Sequence, residues 1–163
     1  MTYTMVDHDR AFSYLSEIRP AFLGHLASRL DTLIGRQTKA MLIHAGAQTP
    51  GRSVSVMLFL LKHGEASIAD MARRDGQSHQ LVASRIGPLE KLGLLAVSVD
   101  PDDERRKLCR LTSDGRADAK IVERVSREVA RTLSTLNQEL GFDLMDAIEL
   151  AEKSLSRIPL YER

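Results

Sequence analysis

Two stretches concentrate side chains able to do chemistry. The first runs Asp100, Pro101, Asp102, Asp103, Glu104, Arg105, Arg106, Lys107, so acids precede bases. Asp100, Asp102 and Glu104 alternate as the oxygen donors of a calcium loop do. Such a loop also needs Gly at its sixth position and Glu at its twelfth. Arg105 and Leu111 stand there instead, and Arg105, Arg106 and Lys107 would repel a cation. No metal is expected. Arg105 and Arg106 suit the strong negative potential of a narrow minor groove. Asp103 is placed to hold Arg105 by a fork-like ion pair, and Asp100 to stabilise a turn with Pro101. Asp102 and Glu104 work against phosphate attraction. The second stretch holds Ser78, His79 and Gln80, then Ser84 and Arg85 one to two turns later. Polar groups of this length reach base edges and phosphates from a helix laid in a major groove, and Gln pairs bidentately with adenine. The competing reading is an ordinary solvated helix face.

Other reactive residues are sparse. Cys109 is the single cysteine, which excludes an intrachain disulfide and fits a reducing cytosol. Flanked by Leu108 and Arg110 in a strand-like run, it reads as a small packing residue rather than a redox sensor. The five histidines show no ligand spacing with one another or with Cys109. Neither a Gly-rich phosphate loop nor a nucleophile elbow is present, so no cofactor and no enzymatic activity are expected. Arg19 and His25 are candidates for meeting an anionic ligand, against the plainer reading of surface or interface residues.

The elements that must position these groups follow from periodicity. Phe22, Leu23, Leu26, Leu30, Leu33 and Ile34 recur at steps of three and four, with Pro20 suited to the first turn, and the pattern continues through Met41, Leu42 and Ile43. That helix is too long for one small core, and surplus apolar face near a terminus points to a partner chain. Thr49 and Pro50 read as N-cap and first residue of a helix closed by Gly64. Ser67 and Asp70 have capping-box spacing. Asp75-Gly76 reads as a turn, and Ser78 to Gly93 spans the next helix, from N-cap to C′ glycine. Within it, Gly87-Pro88 predicts a kink or a short 3₁₀ interruption, or else an end at Ile86. Leu94 to Val99 and Lys107 to Leu111 are β-prone runs flanking the charged turn, which reads as a hairpin. Thr112 caps a long helix broken at Gly141, and a last helix runs from Asp143 to about Arg157. Two short helices joined by a Gly turn and followed by a hairpin describe a winged helix-turn-helix.

Composition agrees with a mainly α chain. Of 163 residues 43% are hydrophobic and only 4% aromatic, so the core must be aliphatic. Net charge is +1, from 23 basic and 22 acidic residues, so any basic surface must arise by local sorting. No apolar stretch approaches the roughly 18 to 20 residues of a spanning helix. The first ten residues carry neither a basic n-region nor an apolar h-region. A cytoplasmic protein without membrane contact is expected.

The run "LEKLGLLAVSVDPDDERRKLCRLTSDGR" resembles the hairpin segment of MarR-family transcription regulators. Leu89, Glu90, Gly93, Leu94, Leu95, Asp100, Asp103, Arg105, Leu111, Thr112 and Gly115 occupy its pattern places. "SIADMARRDG" resembles the family's first motif helix and "QTPGRSVSVMLFLL" the segment after its first long helix; the likeness covers about residues 20 to 157. The departures are Ser84 and Glu104, where many members carry bases, and Pro88. The resemblance implies a homodimer joined by helices from both termini. It also implies a pseudo-palindromic double-stranded DNA operator and control of nearby genes. Many members are released by a small aromatic or phenolic effector. The expected architecture is mainly α with a small β-hairpin wing. Dimerisation helices (1–48 and 117–163) flank a winged helix-turn-helix lobe (49–116). The DNA-binding candidates are Ser78, His79, Gln80, Ser84, Arg85, Arg105 and Arg106; Asp100 and Asp103 steady the wing; Arg19 and His25 are candidate effector contacts. The alternative is a winged helix that binds only protein.

Overall fold

The computed structural model describes residues 11–163; the side chains of Ser13, Ser16, Glu104 and Arg105 lie outside the described residues. A 3₁₀ segment, Ser13–Phe22, leads into α1 (Leu23–His44). Pro20 therefore stands inside the 3₁₀ segment, and the α-helix begins after Phe22 rather than at the proline. A short 3₁₀ turn, Gly51–Ser53, opens α2 (Val54–His63). There follow β1 (Glu65–Ser67), α3 (Ile68–Arg74), α4 (His79–Lys91), β2 (Leu95–Asp100), β3 (Asp103–Leu111), α5 (Ser113–Leu140) and α6 (Leu144–Arg157). The chain is mainly α with a small antiparallel sheet, as expected. No helix among the described residues is long and apolar enough to cross a membrane.

Local chemistry sets most boundaries. Ser67 and Asp70 form the full capping box of α3, hydroxyl and carboxylate each taking up the other residue's backbone N–H. The Ser78 hydroxyl accepts from Leu81 N at 3.2 Å and caps α4. Gly93 follows α4 with φ 69, a left-handed conformation that costs a residue without Cβ nothing. Asp143 caps α6 through Met145 N and Asp146 N.

Three further expectations change. Thr49 does not cap α2, because Pro50 is extended and the buried Thr49 hydroxyl donates to Asp118 of α5. Such a long-range partner outcompetes a local cap. Pro88 does not interrupt α4, which stays α-helical from His79 to Lys91. Gly87 before it has no Cβ to collide with the proline ring. The hairpin is tighter than expected: β3 starts at Asp103, and Asp100 pairs with Asp103 across the turn. Arg106 thus stands in a strand rather than at the tip. A third strand, β1, makes β3 central in the order β1-β3-β2. At three residues, β1 is too short to show a period of two.

Among the described residues, two clusters form the core. The larger gathers Met57, Leu60, Met71, Leu89, Cys109 and Ala119, each essentially sealed from water, so α2, α3, α4, the sheet and the start of α5 close on one another. Burying a side chain of Leu or Met size contributes about 1.5–3 kcal/mol. The smaller cluster joins Leu42 of α1 to Val122 and Val125 of α5, with Val54 and Leu58 of α2 against them. Thr112 staples the start of α5 to the α4–β2 joint: its hydroxyl donates to Gly93 O at 2.7 Å and accepts from Gly115 N at 3.0 Å.

Candidate nucleic-acid interface

Helix α4 buries Val82, Ile86 and Leu89 and turns its other side outward. Ser78, His79 and Gln80 are exposed in its first turn, where unpaired backbone N–H groups and the helix dipole favour an anion. Ser84 is exposed one turn further on, and its hydroxyl donates to Leu81 O at 2.7 Å. Steps of four, three and four along a helix return to one face. Gln80, Ser84, Gly87 and Lys91 fall on such a row, opposite the buried one. Gly87 leaves that row flat, since a Cβ there would meet no atom within 4 Å. Lys91 was missing from the sequence-derived set, although the same spacing would have found it.

Arg85 is placed differently from the expectation. It is half-buried and faces α2. Its Nη1 donates to Ser55 Oγ at 3.0 Å and to Gln77 Oε1 at 2.7 Å. Its carbonyl accepts from Ser53 Oγ at 2.8 Å. The structure therefore groups Arg85 with Ser53, Ser55 and Gln77 as a polar clamp between α2 and α4, apart from the outward row.

The wing is tied from within. Asp100, only 8% exposed, accepts from Asp102 N at 3.0 Å, closing the turn around Pro101. Its other oxygen lies 3.5 Å from Arg106 Nε. The Arg106 guanidinium also donates to Asp70 of α3. Arg106 is thus shared between two carboxylates and tethers β3 to the helix-turn-helix, instead of projecting from the hairpin tip. Asp70 serves several donors at once: the Ser67 hydroxyl at 2.7 Å, Arg73 at 3.0 Å, and Arg106. The Ser67 hydrogen bond, aided by Arg106 and opposed by desolvation, holds its carboxyl below the usual carboxylate value. Asp103 opens β3 opposite Asp100. Its expected partner, the Arg105 side chain, lies outside the described residues. The spacing gave Asp70 its capping role but not its bond to Arg106, 36 residues away, and Ser55 and Gln77 escaped sequence reasoning because Arg85 reaches them only in the folded chain.

Away from this surface, Cys109 is fully buried on β3. Burial, then the nearby Glu90 charge, pushes its thiol up to about 11. Arg19 Nε donates to Ala11 O at 3.3 Å. His25 packs its ring 5.7 Å from Phe22 and 6.0 Å from Phe12, whose rings stack at 4.6 Å. No hydrogen bond or ring contact joins Arg19 to His25 among the described residues. Nor do those residues gather three or more His, Cys, Asp or Glu side chains as a metal site.

No protein-family model matches the sequence, and no curated protein matches it. Solved structures do. The PcaV transcriptional regulator from Streptomyces coelicolor is 26% identical, with a TM-score of 0.62 over 81% of this chain and 98% of that one. The M. tuberculosis transcriptional regulator MosR, solved in complex with DNA, is 18% identical, with a TM-score of 0.63 over 83% and 95%. Apo MarR from E. coli is 16% identical, with a TM-score of 0.53 over 82% and 95%.

Proposed function

We propose that this chain, which has the winged-helix fold of the MarR-family transcription regulators, is a sequence-specific DNA-binding regulator acting as a homodimeric repressor. The carrying observation is the outward face of α4. It presents Ser78, His79, Gln80, Ser84 and Lys91 to solvent beside a wing that Arg106 ties to α3. In the dimer, two such helices enter successive major grooves about 34 Å apart on a pseudo-palindrome. Gln80 reads a base edge, and Lys91 and the first-turn N–H groups take phosphates. Arg105 reaches for the flanking minor groove. Asp100, with Asp70 and Arg106, holds the wing at one height, and Asp103 steadies Arg105. Arg85 acts indirectly, by fixing α4 against α2.

Exposed apolar side chains near both ends support the dimer, among them Met145 at 71%, Leu150 at 69% and Leu23 at 66%. The Phe12–Phe22 stack with His25 supports an effector reading: an aromatic or phenolic acid would stack there, with Arg19 near enough in sequence to supply charge. The effector releases DNA only by binding one dimer geometry more tightly than the other. Nothing in this reading calls for catalysis or for a membrane, and the site of action is the cytoplasm.

Selection from a pool of random duplexes, followed by titration across salt, tests the regulator. Affinity should fall steeply as salt rises. Lys91→Ala should reduce the salt slope by about 1, and Gln80→Ala should relax preference at one position per half-site. A panel of benzoate and phenol derivatives, titrated into the complex with wild type and His25→Ala, tests the effector site. The near-neutral net charge of +1 favours a second reading, a winged helix that binds only protein. It predicts no salt-dependent DNA binding and no enriched duplex.

A further inference from the structure

The loop between α1 and α2 hangs on one buried carboxylate. Ala45, Gly46 and Ala47 still donate their backbone N–H groups back to Met41, Ile43 and Leu42, closing the end of α1. The next two donors have no such partner. Gln48 N donates to Asp118 Oδ1 at 2.7 Å, and Thr49 N to Asp118 Oδ2 at 3.1 Å. The Thr49 hydroxyl donates to that same Oδ2. Thr49 and Asp118 are each 4% exposed. Asp118 precedes Ala119, which belongs to the larger core cluster, and lies one turn before Val122 of the smaller one. It therefore stands on α5 where the terminal helix α1 meets the helix-turn-helix.

We propose that Asp118 is a positioning residue. Its carboxylate locks the α1–α2 loop to α5, fixes the angle between α1 and the DNA-binding lobe, and so selects half-site spacing. The inference rests on the regulator reading for its consequence in DNA, but not for the angle itself. Aliphatic contacts such as Leu42 on Val122 and Val125 are non-directional and leave a joint able to rotate. Three hydrogen bonds converging on one carboxylate do not. The lever is long: α1 has 22 residues, so at 1.5 Å per residue it spans about 33 Å. Turning it by about 10° moves its far end by about 6 Å, nearly two base-pair steps of about 3.4 Å. An isosteric Asn cannot replace Asp118, because its amide would face a second N–H donor.

Spin labels at Ser28→Cys on α1 and Ser98→Cys on β2, both exposed positions, report the angle within one protomer. The labelled chain is diluted with excess unlabelled protein, and the buried Cys109 stays unlabelled. Wild type and Thr49→Ser should give one narrow distance distribution. Asp118→Asn should broaden it about twofold or displace it, and Thr49→Val, which loses the hydroxyl bond alone, should do so in part. Should Asp118→Asn fail to fold, Thr49→Val decides. Wild-type distributions in the folded variants would overturn the proposal, leaving Asp118 a stabilising residue only. Where a duplex is selected, the variants should also bind half-sites moved by one or two base pairs nearly as well as the original. Absence of any DNA binding would remove the regulator reading while leaving the distance result intact.

Discussion

A Cβ on Gly115 would stand 1.8 Å from the Leu94 carbonyl oxygen, inside any permitted contact. That oxygen already accepts from Thr112 N, so neither backbone can retreat without undoing the staple at the start of α5. Gly115→Ala should therefore cost about 3 kcal/mol or more, read as a lowered urea midpoint at unchanged m. Cys109 makes the opposite point, a reactive type made inert. Its thiol is raised to about 11 from 9.0, so between those values the native state holds a proton that the unfolded chain has lost. Stability contributed by the neutral thiol is complete below pH 9.0 and falls as pH climbs towards about 11. Alkylation by iodoacetamide near neutral pH should proceed no faster than global unfolding, and rapid labelling of folded protein would contradict the burial. Asp70 has the reverse sign. Its carboxyl is held low by Ser67 and Arg106, so its contribution is present above the ordinary carboxylate value and disappears as pH falls through the native one. The gap in melting temperature between wild type and Asp70→Asn should close in acid.

Among the elements, α4 tolerates a residue that sequence alone would have break it. Pro88 lacks the N–H that would meet the Ser84 carbonyl, yet the helix runs on to Lys91. Pro88→Ala restores that donor and should raise stability by about 1–3 kcal/mol without altering DNA preference, measured by thermal melting and by duplex titration. The elements themselves were largely legible, because caps and periods are local. Ser67 with Asp70, Ser78 before α4, Thr112 before α5 and Gly141 after it all announce helix ends within four residues of themselves. What was illegible is what two distant segments decide together. Thr49-Pro50 looks like a helix start until Asp118, 69 residues away, takes the hydroxyl. Arg106 looks like a free wing base until Asp70, 36 residues earlier, claims it. Arg85 suffers the same fate through Ser55 and Gln77. Each of these is a polar side chain whose role is set by the nearest unsatisfied partner in space, and single-sequence periodicity carries no information about that.

Among the described residues, the middle of the molecule is enclosed while α6 and the start of α1 stay exposed. Helix α6 has no buried residue at all, although its apolar side chains recur at helical spacing. Ile148→Asp should leave the fold intact, since Ile148 is 49% exposed, yet give a monomer by light scattering and weaken duplex binding at least tenfold. A wild-type dimer from that variant would place the association surface elsewhere. The Asp118 linkage also bears on how the chain is made. The winged helix-turn-helix reads as a unit ending near residue 116, but Asp118, Ala119, Val122 and Val125 lie beyond that point. A nascent chain emerging from the ribosome would hold Gln48 and Thr49 without their acceptor until some seventy further residues have appeared. The larger core cluster is complete but for Ala119 once Leu111 has appeared, so a fragment cut at residue 116 should fold with a lower urea midpoint than one extended through Val125.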